Sequence, residues 1–284
     1  MNSEKCNSRN IPLPIQREVR QRCGFGCIIC GLPLWEYHHI DGWTNVQEHK
    51  ADEITLLCDQ HHREATSGLL TREQILQANS TPYNLKAGQS SALALSYEGD
   101  SCQVIMGSNL FTTSYPGQPT ESIPLMVDGI PLIGFVLEDG HLLMNTILFD
   151  RFNNIVLRIV NNQLFYSISP WDIDFIGRTI IIREKPRHFL TRMTFEPPNK
   201  IAIDKGRFLC NGVEILIESD YILVTNNNTL IQHCAASNCH GGLIIGSTPI
   251  PIGGFMHLSG IDRYLGDTKA SLAWVESIKA EFGD

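Results

Sequence analysis

The chain lacks any long hydrophobic run: its longest apolar stretch, Gly129–Leu137, is far shorter than the roughly 20 residues that cross a bilayer. No transmembrane helix is expected. The first ten residues are polar and lack the apolar core of a secretory leader, so the sequence predicts a protein that stays in the cytoplasm. Positive charge is also scarce. Lys and Arg number 22 against 30 Asp and Glu, a formal net charge of −8. That balance argues against a protein that coats nucleic acid without specificity, because only Lys and Arg release counterions from phosphates. The deficit is uneven: residues 1–90 hold nine basic and ten acidic side chains, whereas residues 91–284 hold thirteen and twenty. No internal repeat period is evident.

What is present suits a soluble globular protein, with 43% hydrophobic and 18% charged residues. A length of 284 residues favours two domains. Nine cysteines could mean disulfides in a small secreted protein, but in an intracellular chain a Cys-x-x-Cys pair reads as metal-binding or redox-active. Cys27 and Cys30 form that pair.

The first part of the chain alternates short elements. With Pro14 in its first turn, Ile15–Cys23 reads as a short basic helix stopped by Gly24, whose Arg17, Arg20 and Arg22 either touch a phosphate backbone or form a solvated face. A strand around Trp35–Ile40, a polar loop to Asp52, an apolar stretch Ile54–Leu57 and a helix from Asp59 follow. Thr71 and Gln74 make a capping box that opens a helix over Arg72–Ala78. The domain boundary is placed at about residues 80–91, with Gly88–Ser91 as linker, giving domains 1–85 and 86–284. From Ala92 onward short apolar or alternating runs recur, among them Ile155–Val160, Leu164–Ile168, Thr179–Arg183, Val213–Ile217 and Tyr221–Val224. Asp139-Gly140, Asn161-Asn162 and Asn211-Gly212 punctuate them as turns. The fold class is therefore α+β, a small N-terminal domain followed by a mostly-β one. A sandwich or barrel is the default for the latter. A β-solenoid is the alternative, suggested by Asn226–Asn228 and the glycines of Gly241–Gly254. Apolar spacing over Thr268–Glu281 predicts a closing amphipathic helix, a possible contact for a protein partner or a second copy.

Chemistry concentrates in three clusters: Cys27-Ile-Ile-Cys30, Tyr37-His38-His39-Ile40 and Cys58-Asp-Gln-His61-His62. Cys27, Cys30, Cys58 and His61 have the two-pair spacing that closes a tetrahedral zinc site. Such a structural Zn2+ would hold together a domain too small to have much core. Three histidines, His38, His39 and His62, are then left over. Two adjacent histidines on a strand point to opposite faces.

At residues 23–70 these clusters resemble the HNH endonuclease family, a ββα-metal fold with a zinc knuckle. The resemblance implies that His39 is the general base, that His38 and His62 hold a catalytic divalent ion, and that cleavage leaves 5′-phosphate and 3′-hydroxyl ends. The substrate it implies is DNA, with RNA not excluded. Imidazole suits the role, since its pKa near neutrality lets it deprotonate water at physiological pH. The cation (Mg2+, or Mn2+ or Ni2+ given two histidine ligands) would stabilise the leaving oxygen. Where the family has Asn, this chain has Glu53, which could hydrogen-bond the base or join the metal shell, with Asp52 and Asn45 nearby.

The expected function is thus a metal-dependent DNA endonuclease. A nuclease domain on a larger, non-basic module also resembles a gated bacterial defence effector. The alternative, favoured by Glu53 and the low positive charge, is a non-catalytic zinc-knuckle module that binds nucleic acid or protein. Other residues take plainer readings. His49 is a surface loop histidine that with Lys50 could meet a phosphate, Trp35, Tyr37 and Trp43 pack the small core or its rim, and Arg183–His188 is a turn. His233-Cys234 and Cys239-His240 have no common zinc spacing and read as structural.

Overall fold

The computed structural model describes residues 10–247 and 253–263. The helix expected over Thr268–Glu281 lies outside the described residues. Two compact units form: the first takes the chain to Leu93 and adds residues 165–175 and 184–186, and the second takes the rest from Ala94. The fold is α+β and mostly β, and no helix of the described residues is long and apolar enough to cross a membrane.

The first unit begins with α1 (Leu13–Arg22), whose first turn accepts Pro14 because a helix N-terminus has spare N–H groups. It stops at Gly24 and Phe25, both with positive φ. Strand β1 (Glu36–His39) leads into the four-residue helix α2 (Trp43–Val46), and a 3-10 turn over Ala51–Glu53 returns the chain to β2 (Ile54–Leu57). The two strands pair antiparallel, with His39 opposite Ile54 and His38 opposite Thr55. Helix α3 (Asp59–Ser67) ends at Gly68 in the left-handed region, and α4 (Arg72–Ser80) opens on the Thr71–Gln74 capping box with both reciprocal hydrogen bonds formed.

Every residue of β2 is buried, because the strand is covered on both faces. Around it cluster Val19, Cys23, Cys27, Ile28, Ile40, Cys58 and Ile75. A core of this size leaves room for a metal to contribute to folding.

The segment read as a linker is part of the first unit. Residues Tyr83–Ala87 form helix α5, and Asn84 is fully buried. Its side-chain amide donates to Gly24 O at 2.9 Å, Tyr83 N–H donates to Ile28 O at 2.9 Å, and Ser91 N–H donates to Gly31 O at 3.1 Å. Pro82 starts this helix, and of the residues read as linker Ser90 N–H donates to Tyr166 O and Ser91 N–H to Gly31 O, so the segment is tied into the first unit.

The three arginines of α1 all have partners within the first unit. Arg20 is buried, with Nε and Nη2 each 2.9 Å from the Asp172 carboxylate and Nη1 2.8 Å from the Tyr37 hydroxyl. Arg22 donates to the Ala51 and Ile54 carbonyls, and Arg17 lies 4.4 Å over the Trp171 ring. Burial by itself would lower the Arg20 pKa, but Asp172 and Asp174 more than offset this and hold the guanidinium charged. Sequence reading had no way to anticipate a partner 152 residues away; the segment it assigned to the β-rich half is drawn to α1 by this ion pair. Asp172→Ala is expected to destabilise the first unit by about 3–5 kcal/mol in urea unfolding, because it strands a buried cation. Joint replacement Arg20→Met with Asp172→Leu is expected to cost less than Asp172→Ala, and equal costs would show that lost packing rather than uncompensated charge is at work.

In the second unit the strands Thr120–Val127, Ile130–Glu138, His141–Phe149 and Ile155–Val160 pair antiparallel in order, with Gly241–Ile245 and then Gly254–Leu258 added in parallel beyond Thr120–Val127. A second sheet runs antiparallel through His188–Glu196, Lys200–Cys210, Val213–Glu218, Tyr221–Val224 and Thr229–Ile231. Ser101–Met106 joins it in parallel at Lys200–Ile203. Consecutive antiparallel pairing is a meander, which differs from the parallel stacking of a β-solenoid. Asp139-Gly140 and Asn211-Gly212 are two-residue hairpin loops with φ of 44 and 78, and 49 and 77, the positive pair that matches strand twist. Asn226, read as a hint of stacked repeats, instead serves a turn: its amide oxygen accepts from Glu214 N–H and its nitrogen donates to Gly212 O. The turn expected over Arg183–His188 is confined to Pro186-Arg187, with Arg187 at φ 64, while Arg183–Lys185 and His188 lie in the flanking strands Thr179–Lys185 and His188–Glu196.

Candidate functional site

The knuckle is built by the turn after α1 and the start of α3. Gly31 N–H donates to Cys27 O at 2.8 Å and Cys27 N–H to Leu32 O at 3.1 Å, closing the Cys27–Cys30 turn. Cys58 precedes α3, and one helical turn on His61 faces back toward it. The four donor atoms lie within 4.8 Å of one another. Cys30 Sγ is 3.8 Å from Cys58 Sγ, and His61 Nδ1 is 3.1 Å from Cys58 Sγ and 3.4 Å from Cys27 Sγ. The edges of a tetrahedron around zinc, with bonds of 2.3 Å to sulfur and 2.0–2.1 Å to nitrogen, are about 3.6–3.8 Å. The set therefore fits a structural metal such as zinc.

Electrostatics points the same way. A hydrogen bond from Cys30 holds the Cys27 thiol down at about 4, the same bond holds Cys30 above the ordinary thiol range, and burial raises Cys58. The protein by itself favours one thiolate. A divalent cation among the donors is what would ionise all three.

Helix α5 seals the knuckle. A Cβ at Gly31, whose φ is +73, would collide with Asn84 and Tyr83, and one at Gly26 would collide with Asn84. Gly31→Ala is accordingly expected to lower stability by about 2 kcal/mol or more and to weaken zinc retention, read by thermal melting and by competition with a chromogenic chelator. A melting temperature equal to wild type would show that α5 can move aside freely.

Beside the knuckle, β1, α2 and α3 enclose an open cleft of about 1020 Å³ lined by Glu36, His38, His39, Trp43 and His62, among others. Two pairs of adjacent histidines are divided between different neighbours. Along α3 the 100° step between His61 and His62 sends the first to the knuckle and the second to the cleft. Along β1 both His38 and His39 line the cleft, but they meet different neighbours. His38 meets His62 edge to face, with ring centroids 5.0 Å apart, and His62 Nδ1 lies 3.3 Å from Glu36 Oε2. On the other side His39 Nε2 lies 3.2 Å from His49 Nδ1, and the His49 ring stacks on Trp43 at 4.5 Å and 18°.

Burial, with His62 and His39 close by, pushes His38 down to about 4, so it is neutral at physiological pH and offers a lone pair. Glu36 stands two residues before His38, on the same face of β1. Strand alternation would have revealed it.

Glu53 stands elsewhere. Its carboxylate pairs with Lys50 Nζ at 3.2 Å, and its carbonyl accepts from Ile40 N–H at 2.9 Å. Lys50, flanked also by Glu48 at 3.2 Å, is held charged by the two carboxylates. Asn45 donates to Asp41 O at 2.7 Å. His49, read as a surface residue, is instead the partner that His39 meets. A loop crossing ten residues carries no periodic signal that would have shown it.

In the second unit Cys234 and Cys239 donate to nearby carbonyls of Gln232 and Ser237. Among the described residues only the Cys27, Cys30, Cys58 and His61 group brings metal-ligating side chains together. Comparison with known proteins yields no match: no family model, no curated protein and no solved structure corresponds to this chain.

Proposed function

We propose that the first unit is an HNH-type nuclease that hydrolyses phosphodiester bonds of DNA, with His39 as general base. The observation that carries this reading is the arrangement of one cleft: a base candidate held by a second imidazole on one side, a His38–His62–Glu36 cluster on the other, and a four-donor knuckle adjoining. A strand–strand–helix order around these residues, β1, β2 and α3, is the order the family resemblance implies.

In this mechanism His39 removes a proton from a water positioned against the phosphorus. His38, His62 and Glu36 would hold a divalent cation, which stabilises charge on the leaving 3′ oxygen. Trp43 and the walls of the cleft position the substrate strand and limit water. Among the described residues of the first unit, Arg20, Arg22, Arg63, Arg72 and Lys50 all have protein partners. Non-specific affinity for DNA should therefore be weak. This agrees with a nuclease whose cutting awaits a cue or partner engaged by the β-rich unit, as in a bacterial defence effector.

Supercoiled plasmid incubated with the full chain in Mg2+ or Mn2+ tests the reading. Nicking that EDTA stops and that His39→Ala lacks is the expected result. Cleavage by His39→Ala at the wild-type rate would overturn it. A second reading, a non-catalytic binding module, is favoured by one observation: Glu53, standing where the family has Asn, pairs with Lys50. Zinc-loaded, folded protein that binds but never cuts nucleic acid would select it.

A further inference from the structure

We infer that His49 is a positioning residue for His39, fixing its tautomer and ring orientation, the part that the family resemblance would give to Glu53. This rests on His39 being the base. The geometry is a chain of three rings. Trp43 stacks on His49 at 4.5 Å and 18°, which fixes the plane of the His49 imidazole, and that imidazole presents Nδ1 to His39 Nε2 at 3.2 Å. His39 also lies 5.0 Å from Trp43 at 57°, so both histidines bear on the same indole.

The loop that carries His49 is tied down at both ends. Ile40 N–H donates to Glu53 O, Gly42 N–H donates to His39 O at 2.9 Å, and Gln47 N–H closes α2 on Trp43 O at 3.0 Å with Gln47 in the left-handed region. Lys50, directly after His49, is held between Glu48 and Glu53.

A hydrogen bond between two neutral imidazoles needs one N–H and one lone pair. When His39 Nε2–H donates to His49 Nδ1, the His39 lone pair is on Nδ1, and the ring cannot rotate without breaking the bond. A base held in one tautomer and one orientation is the general requirement of this chemistry, and a third group usually supplies it. His49 supplies it here through an imidazole rather than an amide or carboxylate.

The test uses the full chain, zinc-loaded, with plasmid cleavage in Mn2+ and with NMR of protein labelled with ¹⁵N-histidine. His49→Ala is expected to lower kcat about ten- to hundredfold with KM little changed. His49→Asn, whose amide falls near the position of Nδ1, is expected to recover most of that loss. In a His39→Ala background, His49→Ala should have no further effect. The His39 ring nitrogens should report one tautomer in wild type and in His49→Asn, and a mixture in His49→Ala. A kcat for His49→Ala within twofold of wild type, a failure of Asn to rescue, or an unchanged single tautomer would each overturn the inference. If His39→Ala cleaves as well as wild type, it is the base assignment that fails; the tautomer measurement still reads the His39–His49 bond by itself.

Discussion

Replacing Cys58 with Ser is expected to unfold the first unit while leaving the second folded. Structural zinc supplies about 10–16 kcal/mol of apparent binding free energy in zinc-finger peptides, against a total stability of about 5–15 kcal/mol for a typical domain. The first unit has a core of ten buried residues around β2, three of which, Cys27, Cys58 and the neighbouring Cys23, are thiols. Losing one of four donors removes most of that binding energy and leaves the other buried thiols without the cation that would compensate their charge. The sequence provides a selective probe. Of the four tryptophans, Trp35, Trp43 and Trp171 belong to the first unit, so intrinsic fluorescence reports mainly on it, whereas far-UV circular dichroism is dominated by the strands of the second. The expected result for Cys58→Ser, or for wild type stripped by a strong chelator, is a red-shifted emission with largely retained β signal and less than stoichiometric zinc. Wild-type emission in a zinc-free sample would show that the apolar core suffices.

His39→Ala is expected to abolish cleavage without affecting either of those signals. General base catalysis contributes about 10²–10⁴-fold, so the residual rate should sit near or below the detection limit of a plasmid assay. Truncating a half-buried imidazole at the rim of an open cleft costs little packing. Melting temperature and zinc content should therefore match wild type. Loss of activity together with loss of zinc would instead place His39 in the scaffold. Retained activity would shift the base elsewhere, with His49 the next candidate by position.

The sequence made much of this region legible because its chemistry is local. Cys27, Cys30, Cys58 and His61 announce themselves by spacing, since a turn and one helical step set their separations whatever the rest of the chain does. The Thr71–Gln74 box and the hairpin pairs Asp139-Gly140 and Asn211-Gly212 are equally local: the capping hydrogen bonds and the positive φ angles are properties of a few consecutive residues. What resisted reading was set by distant partners. Arg20 was indistinguishable from a solvated helix arginine until Asp172, and Ser90 and Ser91 from linker serines until Tyr166 and Gly31 accepted their N–H groups.

The same division runs through the cleft. From the sequence alone follow the four-donor knuckle, an α+β chain with a β-rich second half, and His38, His39 and His62 as the histidines left over once the knuckle is assigned, because periodicity and spacing constrain which side chains can share a turn or a face. Tertiary structure alone decided that Glu53 turns to Lys50, that His49 stacked on Trp43 meets His39, and that residues 165–175 belong with α1. Those choices depend on how a loop closes and on which buried charge finds its counter-ion. Their energies come from contacts between residues far apart in the chain, for which a linear pattern carries no term.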